Sequence, residues 1–97
     1  MAIFAVTYEY GPDIDRRMAA RPAHRTWQGH LFDSGVLLAS GPLEDDQTPG
    51  GLLILRADDR ANIVDILTQD PYAGEGVIAA TTIRRWNPVF GPFDDAD

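Results

Sequence analysis

Val36-Leu37-Leu38-Ala39-Ser40-Gly41-Pro42-Leu43, then the link Glu44 to Pro49, then Gly50-Gly51-Leu52-Leu53-Ile54-Leu55-Arg56 is the stretch that decides how this chain folds. Two apolar runs flank a short, acidic, polar link, which predicts two strands, Val36 to Leu43 and Leu52 to Arg56, around a solvated hairpin loop. Gly41 and Pro42 end the first strand, and Gly50 and Gly51 lead into the second. Neither run alternates apolar with polar residues, so these strands are apolar on both faces and need cover on both.

Working outward, Ile3 to Tyr10 carries β-branched and aromatic residues and stops at Gly11 and Pro12, which predicts a strand and a breaker. Asp13 then caps a helical stretch from Ile14 to Ala20. Pro22 either opens a second segment at its first turn or kinks a continuous helix that runs through Trp27 and Leu31 to the C-cap residue Gly35. Trp27 and Leu31 fall one turn apart and read as core packing. On the other side of the hairpin, Asp58 or Asp59 caps a second helix with Ile63, Val64, Ile66 and Leu67 as its buried stripe. It stops by Gln69, because Pro71 pushes Asp70 out of helical backbone space. Val77 to Trp86 is the last strand.

The order strand, helix, strand, strand, helix, strand predicts an α+β fold of ferredoxin-like βαββαβ type, a four-stranded antiparallel sheet with two helices on one face and strands one and three in the middle. Residues 1–86 form this domain, and residues 87–97, with two prolines and an acidic end, a loosely held tail. Two helices cover one side only, so a lone subunit exposes a continuous apolar face. A homodimer packed sheet against sheet is expected. The alternative is that the tail, with Val89, Phe90 and Phe93, folds back over that face.

Composition narrows the function classes. With 44% hydrophobic and 24% charged residues the chain reads as globular. The net charge of -7, with all eight basic residues arginine and scattered along the sequence, argues against nucleic acid, which needs clustered Lys or Arg. No window approaches the roughly eighteen apolar residues of a membrane span, and the apolar start, Ala2 to Tyr8, lacks a basic leader. The absence of cysteine removes disulfides and thiolate chemistry, and the cytoplasm is the expected location.

Chemistry near neutral pH then rests on histidine and carboxylates. His24 stands in the short context Arg21-Pro22-Ala23-His24. Asp33, nine residues on, falls on the opposite side of the helix at about 100° per residue. Asp70 is a better partner: His24 lies eleven residues after the cap Asp13, and Asp70 eleven after Asp59, so two helices starting at one end of the sheet carry both to the same level. A metal site is disfavoured, because His24 and His30 are about 120° apart around the helix. The run Glu44, Asp45, Asp46 reads as a solvated loop rather than a calcium site. No cofactor is implied.

Several pieces together resemble the YciI-like (YCII-related) family, small ferredoxin-like domains that form dimeric α+β barrels. They are Arg21 to His24; Leu31, Asp33 and Gly35; Leu38 through Pro42; and Asp70, Pro71 and Tyr72 before Gly76 and Val77. The resemblance covers the chain to about Trp86 and implies an active site on a histidine and an aspartate, here His24 and Asp70. Relatives include a dehydrochlorinase acting on a chlorinated aromatic, and similar folds serve muconolactone isomerases. The short loop between strands two and three and the acidic C-terminus depart from many relatives.

The expected function is therefore proton transfer by His24, oriented by Asp70, on a small cyclic acid or lactone, giving isomerisation or elimination without a cofactor. Arg21, one turn before His24, is the candidate carboxylate holder, and Tyr72 and Ser40 are candidate hydrogen-bond donors. The competing class is a metabolite-binding or accessory dimer with no catalysis.

Overall fold

The computed structural model describes residues 1–93. Its elements are β1 (Ala2–Tyr10), α1 (Ile14–Asp33), β2 (Leu37–Leu43), β3 (Gly50–Ala57), α2 (Arg60–Leu67), α3 (Pro71–Gly74) and β4 (Ile78–Trp86). The strands form one antiparallel sheet in the order β2-β3-β1-β4, with β1 and β3 at its centre, a ferredoxin-like α+β fold.

Strand register explains the core. β1 pairs with β3 so that Phe4 faces Leu55, Val6 faces Leu53 and Tyr8 faces Gly51. These side chains share one face, and the period of two puts Ile3 and Ala5 on the other. On the first face Ile63 and Leu67 from α2 and Trp27 and Leu31 from α1 pack against Phe4, Val6, Leu53 and Leu55, so both long helices lie on the same side of the sheet. On the opposite face Ile3 and Ile54 are buried while Leu43, Leu52 and Trp86 are exposed. Phe93 meets Trp86 edge to face with ring centroids 6.2 Å apart, and Val89 and Phe90 project into solvent. The acidic end of the tail lies outside the described residues.

Helix boundaries follow from capping. Asp13 accepts a hydrogen bond from Arg16 N at the start of α1, and Asp59 one from Asn62 N at the start of α2. At the end of α1 Gly35 adopts φ 82°, and Val36 N donates back to Leu31 O, a closure that a left-handed residue permits. Pro22 neither divides nor ends α1: the helix is continuous from Ile14 to Asp33 with the proline inside it. The sequence reading missed α3. Asp70 and Pro71, read as a stop signal, stop α2 and also start the next helix, Asp70 as N-cap and Pro71 in the first turn, where a missing N–H costs nothing.

Candidate functional site

His24 sits in the middle of α1 on the side facing the sheet, and it is buried. Its Nδ1 lies 2.7 Å from Asp70 Oδ1. Asp70 is brought there by local rules: the residue before proline takes extended backbone (φ -66°, ψ 124°), and its carboxylate turns over the start of α3 to accept from Tyr72 N at 2.9 Å. The other oxygen, Oδ2, accepts the Tyr8 hydroxyl at 2.9 Å. The carboxylate is almost fully enclosed, 1% exposed, and both oxygens are engaged. With the Asp70 carboxylate as acceptor, Nδ1 is the nitrogen that donates to it. No described residue hydrogen-bonds Nε2.

The imidazole is held flat from the side as well. The Tyr72 ring stacks on it at 3.8 Å with 5° between planes, and Trp27 lies 6.0 Å away, tilted. Burial pushes the Tyr8 hydroxyl far above the ordinary tyrosine range, and the charge and hydrogen bond of Asp70 add to this, so the phenol stays a donor. Tyr10 is pushed up to about 12, first by burial and then by Tyr72 and Asp70, against the pull of Arg17 and Arg21.

His24 lines a cavity of about 480 Å³ between α1 and the end of the sheet formed by β2 and β3. Arg21, Tyr72 and Ser40 line it too, so the five residues singled out in the sequence meet at one place: four at the cavity wall and Asp70 behind His24. Tyr72 contributes its ring to the stack and its N–H to Asp70; Ser40 is an exposed residue of β2. Three residues of the site were not singled out. Tyr8 has the pattern of an ordinary core aromatic, and nothing in the sequence marks its hydroxyl. Arg17 and Arg25 do carry a signal, the four-residue spacing through Arg21, which places them on one stripe of α1. Among the described residues no group of three or more His, Asp or Glu is placed to hold a metal ion.

Fold and site together define a ferredoxin-like α+β domain with a histidine–aspartate pair buried at the wall of a cavity. The chain belongs to the family of YCII-related domains, whose pattern matches residues 1–87. A curated relative, the derivative of benzaldehyde biosynthesis cluster protein C of Emericella nidulans, is 28% identical over 76 residues, 69% of this chain and 78% of the relative. Among solved structures, the 5-chloro-2-hydroxyhydroquinone dehydrochlorinase of Burkholderia phenoliruptrix, in complex with 2,5-dihydroxybenzoquinone, has the same fold with a TM-score of 0.75 at 22% identity. The match covers 88% of this chain and 93% of that one. An antibiotic biosynthesis monooxygenase matches at a TM-score of 0.57 and 14% identity, over 92% and 99% of the two chains.

Proposed function

We propose that this protein is a small-molecule enzyme in which His24 and Asp70 move a proton on a small cyclic acid or lactone, giving isomerisation or elimination. The carrying observation is the 2.7 Å contact between two buried side chains at the wall of a cavity, with Nε2 of His24 left unbonded. Nε2 takes a proton from a carbon of the ligand, and Asp70 steadies the imidazolium that forms. In an isomerisation the same proton returns to a different carbon; in an elimination the electron pair of the broken C–H bond forms a double bond and expels a leaving group such as chloride. Arg21 holds the ligand carboxylate, and Ser40 and Tyr72 are its hydrogen-bonding neighbours. The dehydrochlorinase with this fold supports the elimination variant, and the steps require no cofactor.

The protein acts, on this reading, as a homodimer in the cytoplasm, paired through the open sheet face, with residues 1–86 as the working domain and 87–97 as an appendage. Exposed Leu43, Leu52 and Trp86 on that face support the pairing. No helix among the described residues is long and apolar enough to cross a membrane.

The test is a panel of cyclic acids, lactones and chlorinated hydroxyaromatics incubated with the protein in D2O and followed by NMR for deuterium uptake or chloride release. His24→Ala and Asp70→Asn, each confirmed as folded by circular dichroism, are expected to lose at least about 100-fold in rate. Turnover unchanged in both folded variants, or no turnover by the unaltered protein on any compound, leaves a binding module in place of an enzyme.

A further inference from the structure

Arg17, Arg21 and Arg25 recur every four residues on α1, so each stands about 6 Å further along the helix axis than the last. All three line the cavity that holds His24, and across from them the wall is the backbone of Gly50 and Gly51. A chain with fifteen carboxylates, eight arginines and a net charge of -7 has thus gathered three of its cations around one hollow. Among the described residues no Asp or Glu side chain lines that hollow. Nor does any of the three guanidiniums have a carboxylate within 4 Å among the described residues, whereas Arg16, one residue from Arg17 in sequence, has Asp13.

The individual placements agree. Arg17 lies over the Tyr10 ring at 4.8 Å and keeps its Nη1 buried with no hydrogen-bond partner among the described residues. Arg21 is half-buried, and its one side-chain hydrogen bond among the described residues is a weak one to Met18 Sδ at 3.7 Å. Arg25 is exposed at the mouth. Burial raises the Tyr72 hydroxyl, while Arg21, Arg17 and Arg25 all pull it down, so the three charges converge on the phenol stacked against His24. An unpaired, partly desolvated guanidinium is costly, and a bidentate carboxylate offsets that cost well.

We propose that this cavity is built for a small organic dianion whose two carboxylates lie about one helical turn apart, the inner one held by Arg17 and Arg21 and the outer by Arg25. The assignment rests on the reading of the cavity as the reacting site and narrows its substrates: a monoacid or a neutral lactone lacks the group that Arg25 recognises. The surrounding negative charge disfavours any anion at long range, but screening beyond about 8 Å at physiological salt leaves the three local cations dominant.

The experiment is calorimetric titration of the full chain with succinate, glutarate and adipate, each beside the monocarboxylate of equal carbon number, at 20 mM and 300 mM NaCl. At least one dicarboxylate is expected to bind tenfold or more tighter than its monocarboxylate, with the preference shrinking at high salt. In Arg25→Gln that ratio falls towards one while the monocarboxylate affinity is unchanged; in Arg17→Gln and Arg21→Gln both acids weaken. Equal affinity for the two series, no binding of either, or an undiminished ratio in Arg25→Gln overturns the proposal. His24→Asn in the same titration is expected to keep the preference. Dianion preference without turnover sinks the acid–base reading alone, and turnover without dianion preference sinks this inference alone.

Discussion

Tyr8 shows how much a single hydroxyl decides at this site. Its hydrogen bond fixes Asp70 Oδ2, which leaves Oδ1 aimed at His24 and the Tyr72 amide. Tyr8→Phe keeps the ring and leaves a buried carboxylate oxygen unsatisfied, at a cost of about 1–3 kcal/mol. Urea unfolding is expected to show that loss, and turnover to fall further than the stability change explains because Asp70 is freed to rotate; an unaltered denaturation midpoint would contradict this. His24 and Asp70 were legible because few residue types titrate usefully near pH 7 and two capped helices set both at one level. That arithmetic paired the two residues that lie 2.7 Å apart although Asp70 belongs to the junction before α3 and not to α2. Tyr8 was not legible, since a tyrosine in an apolar strand looks the same whether or not its hydroxyl meets a carboxylate.

At the scale of elements, α1 keeps His24 and the three arginines in register only by running unbroken through Pro22, where the Met18 carbonyl loses its helical N–H partner. Propensity alone leaves two options there; packing of the Trp27 and Leu31 face on the sheet favours the continuous one. β3 is longer than its apolar run because Gly50 and Gly51 pair with β1 instead of leading into the strand. A Cβ at Gly50 would overlap the Tyr8 carbonyl oxygen, so Gly50→Ala is expected to destabilise the fold by about 1–3 kcal/mol, read as a lowered urea midpoint. At α2, Asp59→Ala removes the side chain that accepts Asn62 N at 2.8 Å, and thermal unfolding is expected to register about 1 kcal/mol.

At the scale of the whole molecule, the buried phenols make the fold sensitive to base. Tyr8 and Tyr10 hold their protons in the folded state beyond the ordinary value near 10, Tyr10 up to about 12. The native state therefore binds more protons than the unfolded chain above pH about 10, so their contribution is complete below that pH and is lost as the pH rises through it, by up to about 1.4 kcal/mol per pH unit for Tyr8. Urea midpoints measured from pH 8 to 11.5 should fall over the upper part of that range, less steeply in Tyr8→Phe. The open sheet face makes a separate prediction: sedimentation is expected to show a dimer that Leu52→Asp dissociates, and a monomer at all concentrations would remove the pairing. By itself the sequence determined the order of the four strands and the two longer helices, the antiparallel sheet and the pairing of His24 with Asp70, because hydrophobic period, breakers and residue chemistry are local properties. Tertiary structure alone decided that Tyr8 braces Asp70, that the Tyr72 ring stacks on His24, and that three arginines along α1 share a hollow with a histidine. Those facts depend on which faces of distant elements meet, and burial and register, unlike propensity, are properties of the folded whole.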